Sequence, residues 1–133
     1  MRKSLTESLI DTIELARDGR INVHPDFLQT DFAELLEICN ACGAAGSKLP
    51  VPQTVYGLDI RPMCHPHDFE YHVGKTIADK EVADRRMRNN GHRVIRLRSG
   101  WLLAGLRRMR VHTYYVMVNN FGGEAFWDGK LED

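Results

Sequence analysis

The chain has 133 residues, enough for one domain with a hydrophobic core and too few for two ordinary domains. Apolar residues make up 43% of it and charged residues 27%, which indicates a globular protein and excludes a disordered one. No apolar run approaches the roughly 20 residues of a transmembrane helix. Glu7, Asp11 and Glu14 interrupt any apolar signal segment, so the sequence predicts a protein that is cytoplasmic as synthesised, with release by another route still open.

Two amphipathic helices are predicted in residues 1–42. The first covers Ser4 to Arg17, with Ser4 and Glu7 at the spacing of a capping box. The second has Thr30 as its N-cap and ends before Gly43. The apolar faces of the two helices are formed by Leu5, Leu9, Ile13 and Ala16, and by Phe32, Leu35, Leu36 and Cys39.

Residues 43–66 are predicted to form a long loop. Seven glycines and prolines in this stretch prevent any long regular element. A structured loop of about twenty residues within a small domain is usually functional. The interpretation is one domain over residues 1–133, in which this loop separates N-terminal helices (1–42) from site-bearing helices (67–122) and a C-terminal tail (123–133).

Three helices are predicted after the loop. One covers about Cys64 to Gly74 with Pro66 in its first turn, and its partner runs from about Thr76 to Asn89, closed by Asn90-Gly91. The last covers Ser99 to Asn120. No alternating strand pattern stands out, so the predicted fold class is mainly α with a long Gly/Pro-rich loop. One face of the last helix contains Leu102, Leu106, Met109, Thr113, Val116 and Asn120, followed by a docking tail with Phe121, Phe126 and Trp127.

The segment from Cys64 to Asp84 combines residues suited to acid–base chemistry. His67 and Tyr71 are four residues apart and share a helix face, with Asp68 beside them. A turn at residues 74–76 would make the next helix an antiparallel neighbour, which returns Asp84 to that face. A histidine oriented by a carboxylate is a general base, and an adjacent aspartate is a ligand for a hard cation. Alternatively, His67 is an ordinary residue near a helix N-terminus, where Asp68 favours the helix dipole.

This segment resembles a known motif. Cys64 to Tyr71 is similar to the Cys-x-x-His-Asp-x-x-Tyr motif of the phospholipase A2 superfamily, closest to its bacterial and fungal secreted branch. Tyr56 to Ile60 resembles the approach to that motif, Lys80 to Asp84 the stretch with the second aspartate, and Tyr114 to Gly122 the C-terminal helix. The resemblance covers roughly Val51 to Gly122.

The resemblance implies a phospholipase A2-like antiparallel helix pair and calcium-dependent hydrolysis of the sn-2 ester of glycerophospholipids. His67 would be the general base that activates water, oriented by Asp84, to which Tyr71 would hydrogen-bond. The calcium ligands that it implies are Asp68 and backbone carbonyls of the loop at Gly43 and Ala45.

The chain departs from this branch in two respects. Residues 42–48 contain no carboxylate, although the bacterial branch has a loop aspartate there. Cys64 corresponds to a cysteine that secreted relatives bridge to the calcium loop, which makes Cys42 or Cys39 its partner in an oxidising compartment and leaves the bridge open in a cytoplasmic protein. These departures favour a phage or mobile-element protein, an effector exported by another route, or a non-catalytic binding or assembly protein that keeps the fold.

Two other interpretations use overlapping residues. Cys39-x-x-Cys42 followed by Cys64-x-x-His67 has the ligand types of a structural zinc site, although that site would leave Asp84 and Tyr71 unexplained. Nine arginines without any acidic residue lie between positions 85 and 110, which indicates an anionic partner. We rank a phospholipid or anionic membrane surface above nucleic acid. The predicted lipid- or anion-binding residues are Trp101, Arg107, Arg108 and Arg110.

Overall fold

The architecture comes from a computed structural model that describes residues 3–39 and 52–130. The described residues are mainly α-helical, which confirms the predicted class. Among them, no helix is both long enough and apolar enough to cross a bilayer. The elements are α1 (Leu5–Arg17), a 3-10 turn (Phe27–Gln29), α2 (Phe32–Ile38), β1 (Thr54–Val55), β2 (Leu58–Asp59), α3 (Arg61–Val73), α4 (Ile77–Arg98), α5 (Trp101–Phe121) and α6 (Gly123–Trp127).

The N-terminal helices begin at caps, one of which was predicted correctly. The Glu7 amide donates to Ser4 Oγ at 3.1 Å and the Ser4 amide to Glu7 Oε1 at 3.3 Å, so the predicted capping box of α1 is confirmed. The N-cap of α2 is Asp31, and the prediction of Thr30 is wrong. Thr30 instead ends the 3-10 turn, where its hydroxyl donates to the Asp26 carbonyl at 2.7 Å.

The predicted loop ends earlier than Pro66. Residues 54–59 form a two-stranded antiparallel hairpin, in which Tyr56 (φ 46°) and Gly57 (φ 80°) make the turn. No strand was predicted, because two-residue strands are too short to show alternation. α3 then begins at Arg61, with a proline in its first turn, and Pro66 lies inside the helix rather than at its start.

α4 continues to Arg98, well beyond the predicted end at Asn90-Gly91. Asn90 is buried, and its side chain donates to the Asn22 carbonyl at 2.7 Å and accepts from the Asn22 amide at 2.9 Å. A Cβ atom at Gly91 would lie 2.7 Å from both Met63 Sδ and Val111 Cγ1. Both residues therefore serve contacts with distant segments, and neither ends the helix.

α5 presents a different face to the core from the one suggested by its apolar pattern. Its buried residues are Val111, Tyr114 and Val118, whereas the predicted face from Leu102 to Asn120 is exposed. The helix begins at Trp101, two residues after the predicted start, because Ser99 caps the end of α4. In the tail, Phe126 is buried and Trp127 half-buried, but Phe121 is exposed.

α3 is the central element of the fold, with ten of its 13 residues buried. On one side Met63, Cys64 and Tyr71 join the core formed with α4, α5 and α6. On the other side Phe69 packs into a second cluster with α1 and α2, where its ring meets Phe27 edge-on at 5.5 Å. The residues of the candidate site therefore lie on the most enclosed helix that the structure describes.

Candidate functional site

The structure brings together the three predicted catalytic residues. Asp84 Oδ1 lies 2.8 Å from His67 Nε2 and accepts a hydrogen bond from the Tyr71 hydroxyl at 2.7 Å. α3 ends at Val73, and a capping box of Thr76 with Asp79 starts α4 three residues later. α4 therefore returns alongside α3. All three side chains are buried, with exposed fractions of 8% for His67, 9% for Tyr71 and 0% for Asp84.

The contact to Asp84 assigns roles to the two ring nitrogens of His67. A carboxylate can only accept, so Nε2 carries the proton of the 2.8 Å bond. In the neutral ring Nδ1 then has the lone pair, and Nδ1 is the atom that can take a proton from water. This is the tautomer that a histidine base oriented by a carboxylate requires.

Lys80 belongs to the site and was not predicted. Its Nζ lies 2.7 Å from Asp84 Oδ2 and also donates to the carbonyls of Val118 at 3.3 Å and Asn119 at 3.0 Å. The ammonium is thus held by one carboxylate and two carbonyls in the last turn of α5. The spacing of four residues to Asp84 was the available signal, but that pattern is common on exposed helix faces.

The electrostatics agree with a charged Asp84 that is surrounded by hydrogen-bond donors. Burial alone raises the pKa of Asp84, but the hydrogen bond and charge of His67, with bonds from Lys80 and Tyr71, outweigh it and hold that pKa below its usual value. Burial and the neighbouring Asp84 raise the pKa of the Tyr71 phenol. Tyr71 therefore remains a hydrogen-bond donor over the working range of pH.

A second histidine, His65, makes a side-chain contact with a serine. Ser8 Oγ is 3.1 Å from His65 Nε2, which joins α1 to α3, and both residues are 0% exposed. Burial, together with the charge of Arg61, lowers the pKa of His65 to about 4. A serine and a histidine at this distance resemble half of a nucleophilic triad, but no substrate reaches a pair without exposed surface. We therefore interpret it as a structural contact.

The predicted calcium site is only partly described. Asp68 is half-buried and directly follows His67 in α3, and its carboxylate is a hard oxygen ligand of the kind that Ca²⁺ binds. The other predicted ligands, Gly43 and Ala45, lie outside the described residues. Within the described ranges, no group of three or more His, Cys, Asp or Glu is placed to hold a metal ion.

The described members of the alternative zinc set are engaged elsewhere. Cys64 is disulfide-bonded, and Cys39 has a free thiol that donates to the His65 carbonyl at 3.2 Å. Cys39 is therefore not the disulfide partner of Cys64. Burial, with Asp68 close by, raises the pKa of the Cys39 thiol, whereas zinc binds the thiolate. Cys42 lies outside the described residues, and His67 bonds Asp84.

The predicted lipid- or anion-binding residues differ in their surroundings. Trp101 is 87% exposed and Arg108 is also exposed. Arg107 instead holds the hairpin against α5, since it donates to the Val55 and Tyr56 carbonyls and to Ser99 Oγ. The Arg110 guanidinium lies 5.7 Å from the centre of the Tyr56 ring. Trp101, Arg108 and Arg110 are thus exposed, whereas Arg107 is half-buried and supports the fold.

Comparison with known proteins gives no match: no family model, curated protein or solved structure is similar to the chain. Only the geometry of the site and the motif resemblance therefore indicate a function for the chain.

Proposed function

We propose that the chain is a phospholipase A2-like ester hydrolase that uses His67 as its general base. The observation that carries this proposal is the pair of bonds to Asp84 Oδ1, from His67 Nε2 at 2.8 Å and from the Tyr71 hydroxyl at 2.7 Å. The motif predicted both contacts from sequence. The short turn between α3 and α4 supports a phospholipase A2-like antiparallel helix pair.

The reaction follows from the assigned tautomer. Nδ1 of His67 removes a proton from a water molecule, whose oxygen attacks the carbonyl carbon of the sn-2 ester. Asp84 stabilises the imidazolium that forms, in the way that a buried aspartate does in other histidine-based hydrolases. Collapse of the tetrahedral intermediate breaks the bond between the acyl carbon and the glycerol oxygen, and the imidazolium returns its proton to that oxygen. The products are a fatty acid and a lysophospholipid.

Calcium is part of the proposal through Asp68. Asp68 and the predicted carbonyls of Gly43 and Ala45 would hold Ca²⁺, which would supply positive charge to stabilise the oxyanion of the transition state. Since residues 42–48 contain no carboxylate, we expect weaker calcium binding than in a site with two carboxylates.

The test measures release of fatty acid from mixed phospholipid vesicles, with millimolar calcium or with a chelator. We expect calcium-dependent release by the native chain and a loss of at least about 100-fold in His67→Ala, the usual contribution of a general base. His72→Ala is the matched control, because His72 is exposed on the same helix and should retain full activity.

Two outcomes would contradict the proposal. Equal release by the native chain and His67→Ala would remove His67 from the chemistry. No calcium-dependent release at all would favour a non-catalytic binding or assembly protein. Metal analysis of the purified protein checks the zinc alternative, since stoichiometric zinc whose removal unfolds the chain would exclude the hydrolase.

We also propose an anionic phospholipid surface as the partner that brings substrate to the enzyme. Trp101 and Arg108 support it, because both are exposed and a spacing of seven residues places them on one side of α5. Binding to anionic vesicles and to duplex DNA at equal salt separates this partner from nucleic acid. Stronger binding to DNA would overturn the choice.

A further inference from the structure

One face of α5 carries an exposed apolar stripe that the hydrolytic site does not use. The exposed fractions of its four apolar side chains are 74% for Leu102, 46% for Leu106, 68% for Met109 and 41% for Val116. Single exposed apolar residues are ordinary, but four aligned on one helix indicate an interaction surface. The stripe, completed by two exposed polar residues, consists of Leu102, Leu106, Met109, Thr113, Val116 and Asn120.

The spacing within the stripe alternates between four and three residues without interruption. Such alternation is the heptad repeat of a coiled coil, in which Leu106, Thr113 and Asn120 occupy a positions and Leu102, Met109 and Val116 occupy d positions. The opposite side of α5 is buried through Val111, Tyr114 and Val118. α5 thus has one side packed in its own domain and one side patterned for a second helix.

We propose that the α5 stripe binds the same stripe of a second copy of this chain, in a parallel two-stranded coiled coil. Asn120 favours a second copy over a lipid surface. Its Nδ2 donates to the Val116 carbonyl at 2.9 Å, and the remaining N–H and Oδ1 of two Asn120 side chains can hydrogen-bond each other across the seam, whereas hydrocarbon offers them no partner. Thr113 does not discriminate between the two, because its hydroxyl already donates to the Met109 carbonyl at 3.0 Å. Trp101 and Arg108 lie beside the stripe, outside the seam.

The flanking residues decide between parallel and antiparallel pairing. In a parallel pair the e and g positions bring Arg110 against Gly105 of the other copy, and His112 against Met117. In the antiparallel pair that aligns the same two stripes, Arg110 faces Arg110. Since like charges in register are destabilising, the parallel arrangement is favoured.

The size of the surface sets the expected strength. α5 has 21 residues, so the seam is about 31 Å long at about 1.5 Å per residue. A single helix pair of this length falls at the lower end of the size range of specific interfaces, below roughly 1,200 Å² in total. We therefore expect a reversible dimer, whose population rises with concentration in the micromolar range.

Sedimentation equilibrium of the full chain tests the association. We expect the native chain to move from the 15.2 kDa monomer towards twice that mass as concentration rises. Met109→Lys should remain monomeric, because it places two ammonium groups in one layer of the seam. Ile77→Glu is the matched control, since Ile77 is 61% exposed on α4, away from the stripe, and should dimerise like the native chain. Circular dichroism of both variants checks that they are folded.

Oxidative cross-linking tests the direction of the pair. A Leu102→Cys chain should cross-link to itself, whereas an antiparallel pair would cross-link only in a mixture of Leu102→Cys with Asn120→Cys chains. A monomer at all concentrations, or a dimer that Met109→Lys leaves intact, would overturn the proposal, as would cross-linking in the mixture alone. Anionic vesicles that recruit a monomeric native chain but not Met109→Lys would assign the stripe to lipid instead. None of these readouts requires hydrolytic activity.

Discussion

Asp84 accepts hydrogen bonds from three side chains while it is fully buried. His67 and Tyr71 share one oxygen of its carboxylate and Lys80 bonds the other. Lys80 is only 6% exposed, so the pair is a buried ion pair rather than a surface one. Loss of the ammonium would therefore leave a buried carboxylate oxygen without its cation.

We expect Lys80→Met to lower the free energy of unfolding by about 3–5 kcal/mol, the usual result of breaking a buried ion pair by removing one partner. Urea denaturation at neutral pH measures the change. Lys75→Met should have almost no effect, because Lys75 is exposed in the turn before α4. A Lys80→Met chain as stable as the control would show that Asp84 does not need this cation.

His65 makes the stability depend on pH. Its folded pKa of about 4 lies below the usual value of 6.5, so the unfolded chain binds a proton more readily than the folded one. His65 therefore does not lower the free energy of unfolding above about pH 6.5. As the pH falls from there towards 4, this free energy decreases. A pKa shift of this size lowers the free energy of unfolding by about 2 kcal/mol between pH 7 and pH 4.5.

Unfolding of His65→Gln measures this contribution, since glutamine keeps a hydrogen-bonding group near Ser8 Oγ but does not titrate. The difference in unfolding free energy between pH 7 and pH 4.5 should be smaller in the variant than in the native chain by about 2 kcal/mol. Equal pH dependence in both chains would mean that His65 does not carry the shift. His72→Gln serves as the control, because His72 is exposed.

At the level of the helices, replacing glycine by alanine should change the stability in opposite directions at two glycines that both lie inside a helix. A Cβ atom at Gly91 in α4 would meet Met63 Sδ and Val111 Cγ1 at 2.7 Å, whereas one at Gly105 in α5 has no atom within 4 Å. Alanine favours a helix over glycine by about 1 kcal/mol. At Gly91, overpacking costs about 1–3 kcal/mol and outweighs that gain.

Thermal unfolding of the two variants checks this contrast. Gly105→Ala should raise the melting temperature and Gly91→Ala should lower it. Stabilisation of both chains would indicate that α4 and α5 separate easily at Gly91. Destabilisation of both would indicate that Gly105 has a contact that the exposed surface does not show.

The same comparison explains which elements the sequence could predict. The capping box at Ser4 and Glu7 depends on residues three apart, so the start of α1 was predicted correctly. The role of Gly91 depends on Met63 and Val111, which are distant in sequence. Because Asn-Gly is a common turn signal, the local sequence predicted a helix end at Asn90-Gly91 instead. The stripe of α5 was predicted as one face, but periodicity does not distinguish a core from an unoccupied interface.

For the whole molecule, α3 joins the two main clusters, and Phe69 connects it to the N-terminal one. Phe69 is 2% exposed, and its ring meets Phe27 at 5.5 Å and His24 at 5.8 Å, edge-on. We expect Phe69→Ala to destabilise the protein by about 3–5 kcal/mol through the cavity it leaves. Because α3 also carries the site, helical circular dichroism and the near-ultraviolet signal should be lost together.

Phe121→Ala is the matched control for chemical denaturation. Phe121 is 69% exposed, so removing its ring should change the unfolding free energy by less than about 0.5 kcal/mol. Two separate transitions in Phe69→Ala would show instead that the N-terminal cluster unfolds independently of the site.

Only those residues of the candidate site that belong to a local sequence motif could be predicted from the sequence. His67, Tyr71 and Asp84 follow from a motif and a short turn between two helices, and the structure brings them together. The contact of Lys80 with Val118 and Asn119 depends on how α5 packs, which no local pattern records. The free thiol of Cys39 likewise follows from its burial beside His65 rather than from the spacing of the cysteines.

The hydrogen bonds of Asp84 also provide a spectroscopic probe of how the helices pack. The proton on His67 Nε2 lies where α3 meets α4, and Lys80 ties the same carboxylate to the last turn of α5. The resonance of this one proton in a nuclear magnetic resonance spectrum should therefore be sharp only while all three helices are docked. Ligands or variants that loosen any of these helices would broaden that signal, even where the average helix content is unchanged.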